Sequence, residues 1–134
     1  TFHEKCDNKG PTVTIIRSAD ENRFGGYTDL NWGGSAGWKF GKGNSFLFSL
    51  NNNKKFISND SENREIFCHP NYLMKFGFGN DISIGDNWEK ASTYSNFPSS
   101  YGKKGDKNNL ASDFFIPIEI EVFSVKYDKN SKKY

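Results

Sequence analysis

The sequence has 134 residues, a formal net charge of +2 and a pI of about 8.5, and only 34% of its residues are hydrophobic. That length predicts one domain with a single modest core. The near-neutral charge, without a clustered basic face, argues against nucleic-acid binding. No apolar run is long enough to span a bilayer, so membrane insertion is not predicted. Aromatic residues make up 16% of the chain, with 13 Phe, and short apolar segments between turn signals predict a mainly β fold.

Two strands open the predicted order. Residues 12–17 are a run rich in β-branched residues after Gly10-Pro11, and residues 23–28 carry the pair Gly25-Gly26. A glycine pair in mid-strand is costly unless a bulge or a close backbone approach requires it. Five further strands are predicted at residues 45–50, 65–69, 74–78, 81–84 and 114–125.

Three connecting segments lie between these strands. Residues 31–44 hold five glycines with Trp32 and Trp38, and the aromatic side chains should anchor this otherwise permissive loop. Residues 51–55 are predicted to be a turn. Residues 85–110 are polar and rich in Ser, Asn and Gly. A loop of that length usually carries function or is disordered, and it has room for a short helical turn.

The last predicted strand shows the clearest period of two. Its apolar residues Ile116, Ile118, Ile120 and Val122 share one face, and Glu119 and Glu121 share the other. Phe123 and Val125 then break the alternation by falling on the glutamate side. We therefore expect the end of this strand to be covered on both faces, as in a sandwich.

Several motifs in this order resemble the TLDc (TLD) domain of the eukaryotic oxidation-resistance family. The matching elements cover roughly residues 1–127 and are Phe24-Gly25-Gly26-Tyr27, residues 45–50, Phe76-Gly77 followed by residues 81–84, Ser92-Thr93-Tyr94-Ser95-Asn96, and Glu119 with the ending Glu121-Val122-Phe123. The resemblance implies a two-sheet antiparallel β-sandwich with short peripheral helices, lacking the first strand and helix of the complete domain. Residues 128–134 would then be a polar C-terminal tail.

The resemblance also implies a function. It implies a non-enzymatic, intracellular and cytoplasmic interaction module, without a cofactor, that acts in oxidative-stress resistance and binds the vacuolar proton-pumping ATPase. An architectural part of another large eukaryotic assembly is the variant of this hypothesis. The partner-binding candidates lie on the predicted loops and are Trp32, Trp38, Asp86, Trp88, Ser92 and Asn96.

Two acidic pairs are candidates for chemistry. Glu119 and Glu121 are two residues apart on one strand face, on the order of 6–7 Å, which suits a carboxylate hydrolase on distance alone. We instead expect Glu121, at the family's closing motif, to be a buried structural anchor with hydrogen-bonded oxygens. Asp81 and Asp86 flank a strand end, but their spacing matches no EF-hand loop.

The remaining polar residues predict no catalytic, metal or cofactor site. His3, His69, Cys6 and Cys68 lack zinc-ligand spacing, and no nucleophile elbow or phosphate loop is present. The two cysteines are expected to be reduced thiols, and without an activating base they give little support to direct peroxide scavenging. The competing hypothesis is a carbohydrate-binding sandwich whose loop tryptophans stack on sugars, which a Cys6–Cys68 bridge would favour.

Overall fold

The computed structural model describes residues 2–85 and 93–126 as two antiparallel sheets. The five-stranded sheet has the order β5-β4-β2-β1-β9 and the four-stranded sheet the order β3-β6-β7-β8. The predicted fold class, a β-sandwich with short peripheral helices, is confirmed. In chain order the elements are α1 (Phe2–Cys6), β1 (Thr12–Ser18), β2 (Arg23–Thr28), β3 (Gly37–Phe40), β4 (Phe46–Ser49), β5 (Lys54–Ile57), β6 (Arg64–Cys68), β7 (Tyr72–Phe76), β8 (Ile82–Gly85), a 3-10 turn (Lys104–Asp106) and β9 (Pro117–Ser124).

The core lies between the two sheets and is built from alternating positions. On β1 every second residue is buried, from Thr12 to Ser18, as a strand covered on one face requires. Ile16 of this set faces Phe24 on β2 and Ile120 on β9. The second sheet contributes the fully buried side chains Ile66, Met74, Phe76, Ile82 and Ile84.

The glycine pair sits where two close approaches occur. A Cβ at Gly25 would lie 1.8 Å from the backbone oxygen of Thr14, and one at Gly26 would lie 2.6 Å from the Phe76 ring. Real Cβ atoms do not come this close, so both positions exclude a side chain. The prediction that the pair serves a close approach is confirmed, and Phe76 of the opposite sheet packs directly on Gly26.

Two strands fall in segments predicted to be a loop and a turn. β3 lies within residues 31–44 and pairs with β6, with Trp38 opposite Phe67. β5 begins at Lys54, inside the predicted turn of residues 51–55, and pairs with β4. Both are edge strands of four residues. Glycines around β3 and lysines on β5 hide the strand pattern, and such charged, short strands are typical sheet edges.

The end of β9 is not covered on both faces, so that expectation is wrong. β9 is an edge strand that, among the described strands, has β1 as its one ladder partner. Ile120 and Val122 pack against the core, but Phe123 on the outer face is 48% exposed. No second layer lies over that face in the described part of the chain, which is why the apolar residues on the glutamate side remain in solvent.

Candidate functional site

Aromatic side chains cover the outer face of the four-stranded sheet. Ile66 and Cys68 point into the core, so Phe67 between them points outward, beside Trp38 of the neighbouring strand. We call this surface the aromatic face, and it comprises Trp38, Phe40, Arg64, Phe67, Tyr72, Lys75 and Phe78. It joins residues from β3, β6 and β7 with the segment that follows β7.

Four rings of the aromatic face, those of Trp38, Phe67, Tyr72 and Phe78, form a connected row. The Trp38 ring centroid lies 4.8 Å from that of Phe67 and 5.5 Å from that of Phe78. Phe67 continues the row to Tyr72, 6.3 Å away in an edge-to-face arrangement. Such tilted and edge-to-face pairs are the favoured geometries for aromatic rings. The face is therefore an ordered array rather than scattered surface residues.

Arg64 is held over this array by a carboxylate. Its guanidinium carbon lies 3.5 Å from the Phe78 ring centroid, while Nε and one terminal nitrogen donate to the two oxygens of Asp60 at 2.9 and 3.0 Å. The hydrogen bonds from Arg64 lower the pKa of Asp60 to about 2, although burial opposes the shift. This two-point pairing fixes the plane of the guanidinium on the ring.

Lys75 is buried beneath the same rings. Its Nζ lies 4.0 Å from the Tyr72 ring centroid and 5.4 Å from that of Phe67. Burial lowers the pKa of Lys75 below its ordinary value. No described carboxylate forms an ion pair with Lys75, so the π faces of the rings are its electrostatic neighbours.

Two phenylalanines of the aromatic face are strongly exposed. Phe40 is 63% and Phe78 is 48% accessible to solvent, and Trp38 and Phe67 beside them are half-buried. A contiguous apolar patch on a soluble domain marks an interaction surface. Trp, Tyr and Arg are also the residues that contribute most at protein interfaces, and the face holds one of each.

The partner-binding candidates predicted from the sequence have four different outcomes. Trp38 lies in the aromatic face. Trp32 is buried, where its Nε1 donates to Thr12 Oγ1 at 3.1 Å and its ring packs edge-on against Phe76. It therefore anchors residues 31–44, as predicted from the aromatic side chains of that segment, and cannot reach a partner. Asn96 is exposed on the loop after residue 92. Asp86, Trp88 and Ser92 lie outside the described residues.

The predicted anchor role of Glu121 is wrong. Glu119 and Glu121 both lie on the exposed outer face of β9, where Glu119 pairs with Arg17 at 2.8 Å. They line a shallow cavity of about 490 Å³ with Ile15, Arg17 and Arg23. β9 is an edge strand, so nothing described shields Glu121 from water. A general acid needs such shielding, and this surface lacks it.

Glu65 is one of two buried carboxylates that do act as anchors. It is fully buried, and its oxygens accept the N–H groups of Gly43 at 2.8 Å and Ser45 at 3.1 Å. A Cβ at Gly41 would lie 2.2 Å from Oε2 of Glu65. Glu65 thus fixes the chain that follows β3 and supports the aromatic face from behind. In the sequence, a glutamate beside Ile66 within a predicted strand is the feature that could have indicated this buried anchor.

Asp81 is the second buried anchor. Its carboxylate accepts three backbone N–H groups, from Ser99 at 2.8 Å, Ser100 at 2.9 Å and Tyr101 at 3.0 Å. Burial raises the pKa of Asp81, and these N–H donors oppose that rise. The motif residue Gly77 has a φ of +89°, and a Cβ there would lie 2.3 Å from Asp81 Oδ1. These bonds tie the Asp81 carboxylate to the backbone of residues 99–101.

One pocket brings a thiol close to a histidine. His3, Asp7, Cys68 and His69 line a cavity of about 250 Å³ at the end of the sandwich. Both ring nitrogens of His3 are engaged, Nδ1 with Asp7 at 3.1 Å and Nε2 with the Tyr72 carbonyl at 3.0 Å. Burial raises the pKa of Cys68. A buried thiol without an available base does not make a nucleophile.

The two cysteines and the other ligand-type residues give no further centre. Cys6 and Cys68 are both free thiols. Within residues 2–85 and 93–126 no cluster of three or more His, Cys, Asp or Glu side chains could hold a metal ion. Over the same ranges, no helix has the length and apolar character needed to cross a bilayer.

Comparison with known proteins identifies the family. The sequence model of the TLDc domain matches residues 1–126, which is nearly the whole chain. No curated protein gives a significant match. The family match covers every described element, from α1 to β9, and includes the motif positions Gly25, Gly26, Tyr27, Phe76 and Gly77.

Proposed function

We propose that this chain, which belongs to the TLDc family, is a non-enzymatic interaction module that binds a protein partner through its aromatic face. The observation that carries the proposal is the exposed row of contacting rings on the outer side of the four-stranded sheet. The family is known for non-enzymatic interaction roles, which this surface suits.

The aromatic face has the composition and the rigidity of an interface centre. Trp38, Tyr72 and Arg64 belong to the residue types that dominate binding energy. Arg64 is held by Asp60 and the strands below are held by Glu65. A preorganised surface loses little conformational entropy on binding, and that favours affinity.

The partner that the family resemblance favours is the vacuolar proton-pumping ATPase, in the cytoplasm. Protection from oxidative stress would then be indirect, through regulation of that assembly. An architectural part of another large assembly is the variant of the same proposal. The buried thiol of Cys68, with its raised pKa, favours an indirect role over direct peroxide scavenging.

The test compares two matched double variants. Phe40→Ala with Phe78→Ala removes side chains that are 63% and 48% exposed on the aromatic face, and Ile57→Ala with Phe123→Ala removes side chains that are 65% and 48% exposed on the other sheet. Each purified variant is immobilised and exposed to a detergent-solubilised eukaryotic cell extract, and bound subunits of the vacuolar ATPase, other bound proteins and bound glycans are quantified by mass spectrometry.

We expect the aromatic-face variant to bind at least about tenfold more weakly, since truncating one central interface residue commonly costs 1–2 kcal/mol or more. The control variant should bind as the original chain does. Equal binding by both variants would refute the aromatic face as the site. Recovery of a different stoichiometric assembly would favour the architectural variant, and recovery of glycans alone would favour the carbohydrate-binding hypothesis.

A further inference from the structure

A second surface of the domain brings three lysines together. Lys103, Lys104 and Lys107 line one cavity of about 280 Å³ around the 3-10 turn. We call it the lysine pocket, and its other lining residues are Asn59, Pro98 and Ser99. No acidic side chain lines it among the described residues, and none of the three lysines forms an ion pair with a described carboxylate.

Two carboxylates, Asp106 and Asp81, accept hydrogen bonds from the backbone of this segment. Asp106 accepts the N–H of Lys103 at 2.9 Å, which closes the turn. Asp81 is buried and accepts the three N–H groups of residues 99–101. The positive charges of the pocket therefore face solvent, while the negative charges beneath them hold the backbone in place.

The backbone of the lysine pocket is fixed from several sides. Asn59 Nδ2 donates to the carbonyl of Gly102 at 2.7 Å, and the N–H of Asn59 donates to the carbonyl of Ser100 at 2.8 Å. Gly102 donates in turn to the carbonyl of Ile57 on β5. The walls are thus rigid, while the exposed lysine side chains remain free to adjust to a ligand.

A groove with a mixed polar and apolar lining continues from the lysine pocket. It has a volume of about 370 Å³ and shares Pro98 and Lys107 with the pocket. Its apolar lining includes Tyr94, Phe97 and Phe114, and the Phe114 ring is 65% exposed. Asp113 also lines the groove. A ligand lying across both sites would meet three positive charges at one end and exposed aromatic surface at the other.

We infer that the lysine pocket and this groove bind an acidic protein segment in which a run of carboxylates is followed by an apolar side chain. This inference rests on the proposed function and names the chemistry of a partner segment. The carboxylates pair with Lys103, Lys104 and Lys107, and the apolar side chain packs on Phe114. Asp113 would repel carboxylates placed in the groove, so the carboxylates are assigned to the lysine pocket and the apolar side chain to the groove.

The donors present favour carboxylates over phosphates. Phosphate sites typically use bidentate arginine or backbone N–H groups directed at the anion. No arginine lines the pocket, and the N–H groups of Ser99, Ser100 and Tyr101 are bonded to Asp81. Lysines without fixed geometry suit several separated carboxylates along a chain.

The test measures fluorescence anisotropy of a labelled peptide that carries a run of glutamates followed by a phenylalanine. Probes for comparison replace the glutamates by glutamines, reverse the order, or replace the run by a phosphoserine, and a single-stranded RNA serves as a polyanion. The pocket variant carries K103Q, K104Q and K107Q. The control variant carries K5Q, K9Q and K42Q, which removes the same charge from exposed lysines elsewhere.

We expect the pocket variant to lose at least about tenfold in affinity for the acidic peptide and the control variant to lose less than about twofold. The glutamine peptide should bind more weakly to the original chain, and the reversed peptide, which can lie in the opposite direction, should bind about as tightly as the acidic peptide. Equal losses in the two variants, tighter binding of the phosphoserine peptide or RNA, or no binding of the acidic peptide would each overturn the inference. Pump binding that survives in the pocket variant but fails in the aromatic-face variant would leave the proposed function intact.

Discussion

Asp81→Asn isolates the contribution of a buried carboxylate to this fold. In the native protein Oδ2 accepts from Ser99 and Tyr101 and Oδ1 accepts from Ser100, all within 3.0 Å. An asparagine offers one acceptor oxygen and one NH2 group in the same place. Whichever way the amide turns, at least one backbone N–H faces an NH2 donor and loses its acceptor.

The magnitude follows from three contributions. One orphaned buried N–H costs about 1–3 kcal/mol. The remaining bonds lose their charge assistance, which halves their strength and costs about 1 kcal/mol. Against these, the amide avoids the burial of charge that raises the pKa of Asp81, and that offset is also about 1 kcal/mol. We expect Asp81→Asn to lower the free energy of unfolding by about 2 kcal/mol.

The assay is urea unfolding followed by tryptophan fluorescence at pH 7. The matched control is Asp113→Asn, because Asp113 is exposed and its variant should stay within about 0.5 kcal/mol of the original chain. Equal or greater stability of Asp81→Asn would refute the reasoning, since it would mean that leaving a buried backbone N–H without an acceptor costs nothing measurable. A large loss in Asp113→Asn would show that the charge change itself is responsible.

The pH dependence gives a second check on Asp81. Burial raises its pKa in the folded state above the unfolded value, so the folded chain binds a proton first as the pH falls. This group therefore adds stability below the unfolded pKa and loses it as the pH rises through the folded pKa. The gap between the original chain and Asp81→Asn should widen, not shrink, as the pH is lowered from neutral.

Three other substitutions have distinct expected outcomes. Gly77→Ala should lower the free energy of unfolding by roughly 2 kcal/mol or more in urea titrations, because φ is +89° and the new Cβ meets the Asp81 carboxylate; an unchanged midpoint would contradict this. Glu121→Gln should change stability by less than about 0.5 kcal/mol, as an exposed strand position predicts, whereas a loss above about 1 kcal/mol would restore the anchor role. Lys75→Met should raise the melting temperature at pH 7, because burial lowers the pKa of Lys75 in the folded state. This advantage should fall as the pH rises from the folded-state pKa towards the unfolded-state pKa. A lower melting temperature for the variant would show that the contact of Lys75 with Tyr72 outweighs desolvation.

Local patterns in the sequence determined the strands that bury one face and the glycines that a close approach requires. The alternation of β1 and the pair Gly25-Gly26 are of this kind, because burial and sterics act on each residue separately. The family motifs added the two-sheet architecture. The sequence also placed a partner-binding candidate, Trp38, on a surface that the structure shows to be aromatic and exposed.

Only the tertiary structure decided which strands are edges and which carboxylates are buried. Glu121 and Glu65 both lie in strands, but Glu121 is on the exposed outer face of β9 and Glu65 is buried at the register shift between β3 and β6, so only Glu65 is enclosed and bonded. Trp32 and Trp38 both lie beside glycines in the sequence, yet one fills the core and the other lies outside it. These differences depend on strand order and on which sheet lies opposite, and such long-range pairing leaves no signature in the local pattern.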